Sequence, residues 1–231
     1  MRTIPLPALL LVAAGCAPAA APPPIAPAPP VAASAPSTQA AASSPPTAAP
    51  AEPAACPLVT PTARDGRHDF DALHGTWRTH YRMLRKRLAN DHEWYACEGT
   101  SVVRAFWAGQ GNLEDGDVHC PDRVIGGMTL RTYDAETHQW SLWWGTRKLG
   151  IVPPPQVGHF DGTGAATGAF FANDTWEGKP IIVRFQWTMD REHPRFEQAF
   201  STDGGATWEP NWTTVYDRVP ESTPGTWNAK D

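Results

Sequence analysis

The 231-residue chain is predicted to be all-β: a single antiparallel, meander-type closed β-barrel of about ten strands with a short N-terminal helix. Three observations predict this. Short runs rich in β-branched and aromatic residues, alternating large and polar, recur from Thr76 onward. Brief links of Gly, Asn, Asp and Pro separate them, as hairpins require. No stretch has the spacing of a strand–helix–strand crossover, so the strands follow one another as hairpins. Such a meander keeps two unpaired edges unless it closes, and closure into a barrel removes both.

The elements follow in order. Asp69-Phe70-Asp71-Ala72-Leu73 suits a helix of one or two turns with Asp69 as its cap. Trp77-Arg78-Thr79-His80-Tyr81-Arg82 opens the strands, and residues 101–107 and 112–119 follow. Residues 128–133 run into Asp134-Ala135-Glu136-Thr137, a turn-like spacer, and then Trp140-Ser141-Leu142-Trp143-Trp144. Weaker runs lie near His159 and Phe170. The clearest strand is 181–189, where Ile181, Val183, Phe185, Trp187 and Met189 share one face. Residues 196–200 and 212–216 complete the set.

Composition sets the boundaries. Residues 17–63 are mostly Ala, Pro, Ser and Thr, with too little apolar surface to offset chain entropy. The expected organisation is a signal peptide over 1–15, an anchored cysteine and Ala/Pro-rich disordered tether over 16–63, a barrel domain over 64–219 and a frayed tail over 220–231. Arg2 and Glu52 are the only charged side chains before Arg64, so the chain's net charge of −5 belongs to the domain. A mildly acidic domain lacks the footprint of nucleic-acid binding. Its one basic cluster, Arg82, Arg85, Lys86 and Arg87, reads as a solvated strand end, or alternatively as a contact for anionic lipid.

The N-terminus carries an export pattern. Arg2 precedes a short apolar segment over 6–14, far below the ~20 residues that span a bilayer. Small residues then lead directly into Cys16. Leu11-Val12-Ala13-Ala14-Gly15-Cys16 resembles the lipobox of bacterial lipoproteins, with Ala13 where Leu is commonest. The resemblance implies cleavage before Cys16, lipid on its thiol and a membrane as partner. Ala17 after the cysteine, by likeness to enteric lipoproteins, implies the outer membrane facing the periplasm.

Export places the remaining cysteines where disulfides persist. Cys97 and Cys120 flank two candidate strands, 102–107 and 112–119, and are the favoured pair. Cys56 would then be a free thiol, or could pair with either. A zinc site of Cys97, His119 and Cys120 competes weakly, because adjacent residues on a strand point to opposite faces and no CxxC or HxxxH spacing is present.

Alternation sorts charged residues by face. Arg131, Arg184 and Glu197 each sit in mid-strand, opposite an apolar set. Either they form the outer surface of an aromatic-filled barrel, or they point inward as a polar cluster in a Trp-lined cavity. The 11 tryptophans fit both readings, as bulky filling or as a rigid pocket lining. The candidate lining is Trp77, Arg131, Trp143, Arg184, Glu197, Trp208 and Asn211. The acidic run of Asn112, Glu114, Asp115 and Asp117 reads as a solvated hairpin, with calcium as the alternative. No nucleophile motif, phosphate loop or metal spacing is present, and no catalytic residue, metal or cofactor is expected.

Four patches together resemble a group of bacterial β-barrel proteins of the calycin type. They are Phe70-Asp71-Ala72-Leu73-His74-Gly75-Thr76-Trp77-Arg78, Gly127-Met128-Thr129-Leu130-Arg131, Arg184-Phe185-Gln186-Trp187, and residues 196–201 with 208–212. The first patch is also similar to lipocalins and nitrobindins. The nitrobindin likeness would imply haem held by a His near the C-terminal strands. His193, the only His after Phe160, stands beside Pro194 in a loop, so haem is not expected. Ser201-Thr202-Asp203-Gly204-Gly205-Ala206-Thr207-Trp208 resembles the Asp-box turn of sialidase-type propellers. It occurs once, which suits a turn device and not a propeller. The functional expectation is an envelope lipoprotein whose barrel binds a small amphipathic or hydrophobic ligand. The alternatives are an enzyme using Glu197 as acid/base and a structural envelope protein without a ligand.

Overall fold

Ten strands form in chain order: β1 (Gly75–Leu84), β2 (Trp94–Phe106), β3 (Gly111–His119), β4 (Val124–Asp134), β5 (Gln139–Thr146), β6 (Gly150–Phe160), β7 (Thr167–Trp176), β8 (Lys179–Thr188), β9 (Arg195–Ser201) and β10 (Glu209–Arg218). Each pairs antiparallel with its sequence neighbour, and β1 closes the barrel against β10, from Trp77 opposite Arg218 to Met83 opposite Trp212. These are features of a computed structural model that describes residues 56–162 and 167–220. The signal over 1–15, lipidation at Cys16, most of the 16–63 tether and the tail beyond Pro220 lie outside the described residues.

Local chemistry sets the turns. Glu177 and Gly178 both take positive φ, +50° and +79°, the backbone of a two-residue hairpin between β7 and β8. Asp134 Oδ1 accepts from the amides of Glu136 and Thr137, so the turn-like spacer is an Asx turn. In the Ser201–Trp208 turn, Asp203 accepts from the Thr207 amide and hydroxyl, and the Gly205 amide donates to Ser201 Oγ. These bonds to the ionised form hold the Asp203 carboxyl down to about 2, the Thr207 hydroxyl contributing most.

The expected helix is a single 3-10 turn, Asp71–Leu73, and Asp69 does not cap it. Asp69 instead accepts two bonds from Arg64, at 2.5 and 2.6 Å. Burial explains the short turn. Phe70 and Leu73 are drawn fully into one end of the barrel, and the chain must be extended again by Gly75. Phe70 meets Trp140 and Phe160 edge to face at 5.0 Å and Trp187 at 5.9 Å, so an aromatic floor closes that end. Arg218 fastens the floor by donating to the carbonyls of His74 and Ala72 while its guanidinium lies 4.1 Å from the Trp77 ring.

Cys97 and Cys120 form a disulfide. Cys56 is a buried free thiol. It begins a strap that packs outside the barrel. Leu58 reaches Gly205, Thr60 bonds His159 and Gln139, and the Gly66 carbonyl accepts from Trp140 Nε1.

Candidate functional site

Inward-facing residues build a cavity above the floor. Ser101, Gly116 and Gly127 lie in one hydrogen-bonded row across β2, β3 and β4, with Ser101 opposite Gly116 and Gly116 opposite Gly127. Three neighbouring strands thus put almost no side chain into the barrel there. A ten-stranded barrel is also wider than the eight-stranded kind that side chains fill. Tyr81, Trp144, Phe185, Phe196 and Trp212 wall the remaining space, and its volume is about 70 Å³. One water needs only ~10–15 Å³ on this measure, so the space holds more than a single water.

The cavity extends away from the floor, toward the strand ends carrying Val118, Gly127, Trp144 and Trp212. We call this end the rim. Trp144 and Trp212, both partly exposed, meet edge to face there at 5.6 Å. A Cβ on Gly127 would stand 2.6 Å from the Trp144 ring, so glycine at 127 is what lets that ring lie against β4.

A charged pair sits at the inner side. Arg131 Nη2 donates to Glu114 Oε2 at 2.5 Å and Nη1 to Asn112 Oδ1 at 3.0 Å. The pair is buried, with side-chain exposures of 1% and 9%. Tyr216 Oη donates to Glu114 Oε1 at 3.0 Å. Burial, with the Glu114 charge adding to it, holds the Tyr216 phenol well above its ordinary range, so it stays a donor. The same two causes raise Tyr81. The Arg131 guanidinium also lies within cation–π reach of Phe70 and Trp187, at 5.2 and 5.0 Å. Two buried polar atoms of the lining have no hydrogen-bond partner in the protein: Ser101 Oγ and Arg131 Nε.

The structure divides the sequence-derived candidates. Arg131 lines the cavity. Trp77 is buried beside the floor, its indole nitrogen donating to the Leu73 carbonyl at 2.7 Å. Asn211 is buried and accepts from Gln198, a lining residue, at 2.7 Å. Trp143, Arg184, Glu197 and Trp208 are outside the barrel. Arg184 stands between inward Val183 and Phe185, and Glu197 between inward Phe196 and Gln198. Arg184 donates to Glu197 at 2.8 Å and stacks on Trp208 at 4.6 Å, and Phe171 flanks that ring at 6.0 Å. The inward polar cluster of Arg131, Arg184 and Glu197 is therefore corrected: Arg131 alone points in, and its carboxylate partner is Glu114. The solvated-hairpin reading of 112–117 is corrected with it, since Asn112 and Glu114 are buried while Asp115 is exposed.

Among the described residues, no three His, Cys, Asp or Glu side chains are grouped to hold a metal. The disulfide takes Cys97 and Cys120 out of the weighed zinc site. His193 sits outside the barrel, 60% exposed and 2.8 Å from Asp217. Comparison with known proteins finds no matching family model and no matching curated protein. The closed antiparallel meander is compatible with a calycin-like fold.

Proposed function

We propose that the protein is a calycin-type envelope lipoprotein whose barrel holds a small amphipathic ligand. The observation that carries this reading is the cavity itself, with aromatic walls, a neutralised charged pair and two unpartnered donors. A buried donor without an acceptor costs about 1–3 kcal/mol. A ligand bringing an ether, carbonyl or hydroxyl oxygen to Ser101 Oγ and Arg131 Nε removes that cost, while its apolar part covers Phe185, Phe196 and the two rim tryptophans. The Arg131–Glu114 pair has no net charge, which favours a ligand of low net charge.

The position of Glu197 on the outer face, beside Arg184, speaks against an acid/base role for it inside the barrel. The lipidation pattern at Cys16 supports placing the barrel at a membrane, where amphiphiles are concentrated.

The test is native mass spectrometry of residues 16–231, carrying Cys16→Ser, after exposure to an organic extract of bacterial envelopes. A retained small molecule, displaced in a Ser101→Val variant, is the expected result. A spectrum of the bare chain alone after exposure overturns the reading.

A further inference from the structure

We propose that the rim end of the barrel seats directly on an anionic lipid surface, through the hairpin tips joining β3 to β4 and β5 to β6. Val124, Leu149 and Ile151 are exposed at this end, at 60%, 68% and 42%. They form one strip. The Arg147 amide donates to the Gly126 carbonyl at 2.9 Å, tying the tip that carries Leu149 to the start of β4. Ile151 lies opposite Gly145, and a Cβ on Gly145 would touch both Ile151 and Met128.

Basic residues flank the strip. Arg147 and Lys148 immediately precede Leu149, and Arg123 immediately precedes Val124. Arg85 and Arg123 both lie 5.7 Å from the Tyr95 ring, which links the tip between β1 and β2, with exposed Lys86, to the same rim. Arg87 does not contribute, because it is stacked on Trp176 and Phe200. On this side of the rim Asp117, Asp122 and Glu93 pair with Arg147, Arg123 and Arg85, and Asp91 accepts from the amides of Lys86 and Glu93. They leave Lys86 and Lys148 facing solvent. Asp65, Asp71, Asp134, Glu136, Asp190 and Glu192 stand at the floor end instead. At the rim itself, Asp174, Glu177, Asp203 and Glu209 lie at the β7–β8 and β9–β10 tips, so the basic side of the rim is the one that bears the apolar strip. Exposed apolar side chains among basic ones are the chemistry of a protein resting on an anionic bilayer interface.

The course of the chain agrees. Leu58 packs at Gly205, in the rim-end turn between β9 and β10, and the strap then runs toward the floor. The described chain therefore begins toward the rim side of the barrel. With the rim on the bilayer, an amphiphile passes from lipid to Trp144 and Trp212 without crossing bulk water. That consequence rests on the ligand-binding reading, whereas the surface contact does not.

The experiment is co-sedimentation of residues 16–231, carrying Cys16→Ser, with vesicles of phosphatidylethanolamine and phosphatidylglycerol or of phosphatidylcholine alone. Binding to the anionic vesicles that weakens with salt is expected. Val124→Asp with Leu149→Asp should lower partitioning at least about ten-fold, and Lys86→Glu with Lys148→Glu should abolish its salt dependence. Both pairs are exposed, and unchanged thermal midpoints verify folding. Equal partitioning of parent and variants, no binding to anionic vesicles, or a dimer that the aspartates dissolve overturns the proposal. A chain that retains a ligand yet ignores vesicles sinks the docking alone, and one that docks yet retains nothing sinks the ligand reading alone.

Discussion

Arg131 and Glu114 meet across β4 and β3 at 2.5 Å, inside the barrel, with side-chain exposures of only 1% and 9%. Removing one member of a buried pair leaves the other charged and unpaired, at a cost of about 3–5 kcal/mol. Arg131→Met should reduce unfolding free energy by that order, measured by urea denaturation. Arg131→Met combined with Glu114→Leu should recover a large part of the loss. A double variant no more stable than the single one would show that the aromatic contacts of Arg131, and not its charge, dominate.

The pair on the other face should behave differently. Arg184 and Glu197 are 20% and 34% exposed. A double-mutant cycle between Arg184→Met and Glu197→Gln should give a coupling of about 1 kcal/mol or less. Glu197→Gln should also leave ligand retention in the mass spectrum unchanged. Loss of retention would place Glu197 in the pathway to the cavity.

Ser101 presents a hydroxyl that the folded protein does not satisfy. Ser101→Ala removes the unmet donor, so stability should stay level or rise by up to about 1 kcal/mol. Retention of the amphiphile should fall in the same variant. A clear drop in urea midpoint would mean that the hydroxyl is satisfied within the protein after all.

The Cys97–Cys120 bridge closes a loop with a sequence separation of 23. Chain-entropy reasoning assigns such a loop about 3 kcal/mol of stabilisation. Cys97→Ala with Cys120→Ala should lower the urea midpoint accordingly, whereas Cys56→Ala should not alter the loop contribution.

His80 makes 2.6 and 2.9 Å contacts with Glu98 and Asp217, and those carboxylates, Glu98 first, hold its imidazole above the ordinary range. Its contribution is therefore complete below the unfolded value near ~6.5 and is lost as pH rises through the raised folded value. The site is partly exposed, so the effect is roughly 0.5 kcal/mol or less. The melting midpoint of the parent should fall slightly more than that of His80→Gln between roughly pH 6 and pH 9. Parallel profiles would remove His80 from the linkage.

Strands were legible because alternation and turn chemistry are local: 181–189 and the Asx turn at Asp134 follow from residues adjacent in sequence. The disulfide was legible because it joins neighbouring strands. The inward face was harder to read, and β4 shows why. Met128 and Leu130, the apolar residues in its middle, share the outer face with exposed Val124, while Gly127, Thr129 and Arg131 point in with Ile125 and Tyr133. The outer face of β8 and β9 is also covered, by Trp208 stacked on Arg184, so apolarity does not mark the interior there. Glu114 reads in sequence as part of a solvated acidic hairpin, and only the pairing of β3 with β4 puts it beside the strand of Arg131. The glycines at 116 and 127 were the available signal, since glycine within a strand marks a place where something else needs the room.

The ladder between β1 and β10 has a kinetic consequence. Every other pairing joins sequence neighbours and can form while the chain is incomplete. Trp77, in contrast, must wait for Arg218, and Arg82 for Thr213, so the first strand keeps a bare edge until the last has been delivered. Such a seam is the slow, high-contact-order step of assembly and the stage most open to pairing with another molecule. A chain delivered N-terminus first thus holds its floor residues, Phe70 and Leu73, in readiness until its final strand arrives to enclose them.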